Sequence, residues 1–313
     1  MKAKPLQLAA IAAIVGLATS ALCLTSTAEE VAETHKIVFV AGKASHGPGE
    51  HEHRAGSMLL ADQLEKSNLG FQTTVVTDGW PKDDSVFDGA SAVIFYADGG
   101  KRHPAVPHIE KLRSLVKDGV GIGCIHYGIE VEKGEPGDAF LDAIGGHFEA
   151  NWSVNPHWTA TFVMPDHEVA NGIEDYSILD EWYYHMRFRP NMEGVTPILS
   201  SVPPKETLSR PDGPHSGNPA VRKAVLEDKE AQHVMWVFER PEEIGGGRGF
   251  GFSGGHFHKN WQNDSQRRVM LNAIAWIAGT EVPENGIPSA TPTDEEMQAN
   301  LDDKKPRKPK KQK

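Results

Sequence analysis

Short apolar runs separated by polar, glycine-marked breaks set the rhythm of the N-terminal half of this chain. Residues 36–41, 71–77, 91–97 and 120–125 read as strands, and most are near-continuous in apolar character rather than alternating. Residues 54–68 place Met58, Leu59 and Leu64 at helical spacing, and Gly70 follows as the stop. Pro104 opens a second helix in this reading, with Ile109, Leu112 and Val116 inward and Gly119 closing it. Strands alternating with helices predict an α/β domain with a doubly wound, mostly parallel sheet and helices on both faces. Near-continuous apolar strands fit burial on both sides.

The C-terminal half is less regular. Residues 158–164, 195–202 and 234–238 alternate like half-exposed strands and predict antiparallel extensions. Residues 249–255 form a glycine-laced strand, a place where backbone or ligand can approach closely. Asp264 or Ser265 caps a last helix with Met270, Leu271, Ile274 and Ile277 inward and Gly279 as its stop. Residues 283–313 are expected to be a disordered charged tail, Pro- and acid-rich at first and ending in KKPRKPKKQK.

The N-terminus changes the picture of where the protein works. Lys2 and Lys4 precede an apolar stretch from 6 to 24, and Ser26, Thr27 and Ala28 offer a small-residue cleavage site. This layout predicts a secretory signal peptide over 1–28 and a secreted or periplasmic protein, with an uncleaved anchor as the alternative. Cys23 hints at a lipoprotein, but Leu22 is bulkier than such processing sites take. No other segment has spanning length, so no membrane insertion is expected once the signal is removed, and residues 29–282 form the domain. Cys124 is then the lone cysteine, which excludes an internal disulfide and calls for a shielded thiol. The chain carries −11; setting aside Lys2, Lys4 and the seven basic residues of the tail leaves −20 on the body. That argues against nucleic acid or acidic lipid as the main partner.

The fifteen histidines point to chemistry. His46, His51, His53, His103, His126, His185, His256 and His258 stand at or just past the ends of apolar runs. Open parallel sheets place their ligands outside the carboxyl ends of the strands, and imidazole is both a near-neutral acid–base and a common metal ligand. GVGIGCIHYGIE, residues 119–130, resembles a strand–turn–helix elbow in which a small residue follows the tip by two. Gly128 stands two after His126, so His126 is the tip and Cys124 a buried strand residue; an ordinary turn histidine is the alternative. His51 and His53 flank Glu52 in a polar, glycine-containing loop, and His46 is the preferred ligand there because it lies closest to the strand end. Asp98 ends the third strand, where it either orients a histidine or sugar hydroxyl or caps the turn. In an extended conformation Glu181, Tyr183 and His185 share one face and Trp182 and Tyr184 the other. A carboxylate beside aromatic platforms suits sugars, although an aromatic-rich core strand fits the same pattern.

Residues 119–128, DEWYYHMRF at 180–188 and GFSGGHFHKNW at 251–261 together resemble the trehalose-utilization (ThuA-like) family, of the class I glutamine amidotransferase-like superfamily. The resemblance spans 35–279 and implies a flavodoxin-like fold. Amidotransferases place a cysteine at the elbow; His126 stands there in this chain, which argues against glutaminase chemistry. The resemblance makes His256 the elbow's late strand-end partner, with His258 and Trp261 as pocket wall, and it implies sugar or keto-glycoside substrates handled alongside a sugar dehydrogenase. The expected reader of such a substrate has His126, His256 and Glu181 as catalytic residues. His46, Asp98, Tyr183, His185, His258 and Trp261 bind substrate, and His46, His126 and His256 are candidate ligands of a divalent metal such as zinc. No GxGxxG fingerprint follows the first strand, so no nucleotide cofactor is expected, and hydrolysis or lyase cleavage is favoured over redox. The rival is a non-catalytic sugar- or metal-binding protein using the same crevice.

Overall fold

The computed structural model describes Met1 and residues 34–305; the expected signal peptide and the last eight residues of the basic tail fall outside the described residues. The N-terminal half builds β1 (His35–Ala41), α1 (His53–Lys66), β2 (Phe71–Val76), β3 (Ala92–Tyr96), α2 (Ile109–Lys117), β4 (Gly121–Ile125) and α3 (Glu135–Ile144). There follow β5 (Gly146–His147), β6 (His157–Phe162), β7 (Tyr176–Glu181), β8 (Arg187–Phe188), β9 (Val195–Ser201) and the short α4 (Pro219–Arg222). The chain then adds β10 (Gln232–Glu239), β11 (Arg248–Phe252), α5 (Asp264–Ile277) and α6 (Asp294–Gln298).

The central sheet runs β2-β1-β3-β4-β11-β10-β9. Its first five strands are parallel, while β10 is antiparallel to both neighbours, so the expected antiparallel extension is one edge of the same sheet. Side-chain alternation divides the core. Ile37, Phe39, Ile94 and Tyr96 face α1 and α5, whereas Val38, Val40, Val93, Phe95 and Cys124 face α2 and α3. That two-sided burial explains the continuous apolar runs. It also covers β10, expected to be half-exposed, because β11 and β9 flank it and both its faces are packed. β6 and β7 form a separate two-stranded ribbon on which β6 shows the expected period-two burial.

Two boundaries differ from expectation. The helix predicted from Pro104 begins only at Ile109, after 3-10 turns. Pro107 supplies no N–H for an α-helical bond, and His103 Nδ1 accepts from the Ala105 N–H at 3.1 Å. Residues 283–305, expected to be disordered, are folded onto the body. Ile287 and Met297 are buried, and Thr293 and Glu296 form a reciprocal cap on α6. Enough apolar side chains are spaced through this acidic stretch to anchor it. Among the described residues no helix is long and apolar enough to cross a membrane.

Candidate functional site

The strand ends deliver a cluster of imidazoles to one rim of the sheet. His126 follows β4 directly with φ 55°, a left-handed conformation that few non-glycine residues adopt, and opens a single 3-10 turn. Gly128 lets that turn press against β3; a Cβ there would stand 3.0 Å from the Phe95 carbonyl oxygen. The elbow geometry expected from the spacing is thus present, with an imidazole at its tip and Cys124 fully buried in the strand behind it.

Three nitrogens and one oxygen converge there. His51 Nε2 lies 3.0 Å from both His126 Nε2 and His256 Nδ1, and the latter two are 3.3 Å apart. Glu181 Oε2 is 3.2 Å from His256 Nδ1 and 3.5 Å from His126 Nε2. Tyr183 Oη adds a hydroxyl 3.3 Å from His126 Nε2. The three imidazoles are buried, and Glu181 lines a surface cleft of about 380 Å³ with His157, Thr207 and Arg210.

The outer nitrogens fix the tautomers. His126 Nδ1 is 2.7 Å from the Ser253 carbonyl, which can only accept, so Nδ1 carries a proton and in the neutral ring Nε2 presents its lone pair inward. His51 Nδ1 is 3.2 Å from Asp98 Oδ1, and the same oxygen accepts from Ser45 Oγ at 2.7 Å. Burial raises the Asp98 carboxyl, but hydrogen bonds from His51 and Ser45 outweigh it and hold the group well below the usual carboxylate range. Asp98 therefore accepts, and His51 Nε2 also presents a lone pair inward. Burial keeps His51 neutral. For Glu181 burial again pushes upward, and contacts from His126, His157 and His256 more than reverse it.

Two lone pairs at 3.0 Å repel each other unless a cation or proton lies between them. The donor spacings of 3.0–3.5 Å approach the edges of a tetrahedron, about 3.3 Å, that follow from zinc–nitrogen bonds of about 2.0–2.1 Å. Three imidazoles and a carboxylate, with a carboxylate and a backbone carbonyl behind two of the imidazoles, fit a divalent metal in donor type and in outer support.

Other residues aim these groups. The buried Asp180 carboxylate accepts from the Gly255 and His256 N–H groups at 2.9 and 3.1 Å and from Asn260 Nδ2 at 2.9 Å, which fixes the turn carrying His256. The Tyr96 hydroxyl donates to the Gly255 carbonyl on the same turn. His157 Nε2 stands 3.5 Å from Glu181 Oε1, and that carboxylate raises its pKa. Elsewhere, His215 Nε2 meets both oxygens of the buried Glu130 at 3.0 and 3.1 Å.

Of the residues singled out in the sequence, His126, His256, Glu181, Tyr183 and Asp98 are brought together. The third convergent imidazole is His51, in the place expected of His46. His46, at φ 60°, folds back to stack on His51 with ring centroids 3.5 Å apart and forms an adjoining cluster with His51 and Asp98. Three further assignments are corrected. His185, also turned at φ 60° beyond the end of β7, stacks on Trp152 and reaches its carbonyl at 2.9 Å rather than continuing the face of Glu181 and Tyr183. Trp261 is fully buried against Tyr96 and Phe252. His258 is buried and directed to the Met297 carbonyl at 3.1 Å; it does line a cleft, with Phe257 and Gln262, but not the one that Glu181 opens into. Asp180 and the Glu130–His215 pair escaped sequence reasoning; His157, a lesser candidate for the cleft lining in the sequence, does line the cleft, although nothing local paired it with Glu181.

The fold and rim define a flavodoxin-like α/β protein that carries histidine at the elbow after its fourth strand. The chain belongs to the ThuA family, described as trehalose utilisation, whose family model matches residues 36–277. Two solved structures of ThuA-like proteins share the fold. One from Parabacteroides merdae aligns with a TM-score of 0.52 at 15% identity, over 83% of this chain and 98% of that one. One from Bacteroides uniformis gives 0.51 at 13% identity, over 79% and 92%. No curated protein matches the sequence.

Proposed function

We propose that this protein is an exported, carbohydrate-active enzyme that cleaves or modifies a glycoside or keto-sugar derivative at a histidine-centred, metal-assisted site. The observation that carries the reading is the inward convergence of His51 Nε2, His126 Nε2 and His256 Nδ1 beside Glu181. The three imidazoles would hold a divalent ion such as zinc. When bound, such an ion supplies Lewis acidity, polarising an oxygen or lowering the pKa of water.

The chain's own groups do the rest. Glu181, kept ionised and reachable from the cleft, would complete the donor set and orient a substrate hydroxyl by accepting its hydrogen bond. Tyr183, whose burial and neighbouring carboxylates hold its hydroxyl protonated, donates a hydrogen bond or proton to an oxygen at the same point. His157 and Arg210 offer polar partners to sugar hydroxyls along the cleft. Cys124 takes no part: burial raises its thiol pKa and shuts it away. The sugar assignment is supported by family membership and by the polar rim, and the exported location by the N-terminal pattern. A dehydrogenase that oxidises the sugar would supply such a substrate.

The test is metal analysis of purified protein together with turnover of keto-glycosides. His126→Ala is expected to lose both the metal and turnover. Unchanged turnover in that variant overturns the assignment, and tight sugar binding without product under any metal condition makes the protein a binding module.

A further inference from the structure

The loop that carries His51 is held from behind by the C-terminal segment. The side chain of Lys304 is buried, only 4% exposed. Its Nζ donates to the main-chain carbonyls of Glu50 at 2.6 Å and His51 at 3.0 Å, and it pairs with Glu52 Oε1 at 3.2 Å. Glu52 is itself buried, accepting from the Gly49 N–H at 2.8 Å and from the Asp302 N–H at 3.1 Å. Arg54 ties the same segment down through the Asn300 and Leu301 carbonyls at 3.0 and 2.8 Å. On the other side the His51 N–H donates to the His256 carbonyl at 3.0 Å, and His258 N–H donates to Gly49 O at 2.9 Å.

His51 therefore occupies a left-handed conformation, φ 47°, between two sets of main-chain bonds. A histidine does not hold that conformation unaided; the surroundings must over-determine it. One set comes from the turn of His256, which belongs to the site. The other comes from a residue 253 positions away in sequence that touches none of the converging donor atoms.

We propose that Lys304 is a positioning residue for the metal centre, clamping the Glu50–His51 backbone so that His51 Nε2 stays directed at His126 and His256. The inference rests on the metal-centre reading given above. It assigns the terminal segment a role in the site, since without the ammonium the Glu50 and His51 carbonyls lose their common donor.

The experiment titrates the full-length protein with zinc against a competing chelator and records the visible spectrum of the cobalt-loaded form. The proteins are wild type, Lys304→Met, and the double variant Glu52→Gln with Lys304→Met, which leaves no buried charge unpaired and so keeps the fold. Both variants are expected to bind zinc about 10–100-fold more weakly, the range seen when support behind a ligand is lost, with an altered cobalt absorption band. A merely structural clamp would lower stability without moving that band. Wild-type affinity and an unchanged band in the folded double variant overturn the clamp and leave the centre standing. No zinc binding by the wild type, or wild-type binding by His256→Ala, overturns the centre and the clamp with it.

Discussion

Asp98 offers a test of how far the second layer of the site controls the first. Its Oδ1 accepts from His51 Nδ1 at 3.2 Å and Ser45 Oγ at 2.7 Å, while Oδ2 lies 3.3 Å from the exposed Arg102. Hydrogen bonds to charged groups contribute about 1.5–3 kcal/mol, against roughly 0.5–1.5 for neutral ones. Asp98→Asn retains an acceptor but drops the charge. His51 is then held less firmly by about 1–1.5 kcal/mol, close to a tenfold loss in affinity for a divalent ion. Asp98→Ala also strands the imidazole N–H and the Ser45 hydroxyl. The expected cost is about 2–3 kcal/mol, or roughly 30–100-fold. Zinc competition titrations on the three proteins at one pH give the ordering directly, with circular dichroism confirming that each is folded. Equal affinities would show that His51 needs no carboxylate behind it, and the argument from tautomers would fail.

Two further outcomes follow from the fold. Burial lowers the pKa of His103 from 6.5 to about 3, so below 6.5 the unfolded chain takes up a proton that the folded chain refuses. Stability from this group is complete above that value and declines as pH falls toward 3, by about 2 kcal/mol between pH 7 and 5. In urea unfolding at both pH values, His103→Asn should lose that much less than wild type; identical losses would refute the assignment. Gly251→Ala would place a Cβ 2.1 Å from the Trp236 ring, whose Nε1 is tied to the Ile144 carbonyl at 2.6 Å. The indole cannot yield, and a loss of about 3 kcal/mol or more is expected by thermal or urea unfolding, whereas a neutral effect would mean that β10 and β11 can separate.

The layers of the domain were legible because burial on both faces leaves near-continuous apolar runs, as in β1 and β3. The elbow was legible because Gly128 follows His126 at the spacing a tight turn requires. His51 and His46 were exchanged for a conformational reason. Proximity to the strand end favours His46 only if the loop runs straight on, and both residues instead adopt positive φ, which folds the loop back and turns His51 inward. His185 was misplaced by the same kind of event, since period-two alternation holds only while the strand lasts and β7 ends at Glu181. Asp180 and Lys304 act through hydrogen bonds to residues some 75 and 253 positions away, and no local pattern announces such pairs. Charge dominates the composition of the terminal segment and points to an unfolded tail, while two buried apolar side chains, Ile287 and Met297, help to dock it.

The inward-facing donors come from four places in the chain, and His51 and His256 are 205 residues apart. No short fragment can assemble them, so an ion captured by this set stabilises only the finished tertiary structure and not a partly folded one. Every loop between the donors must close before the coordination sphere exists, which makes its assembly a late event in folding. Metal uptake in this chain would therefore report completed folding, with the sheet, the β6–β7 ribbon and the terminal segment all in place.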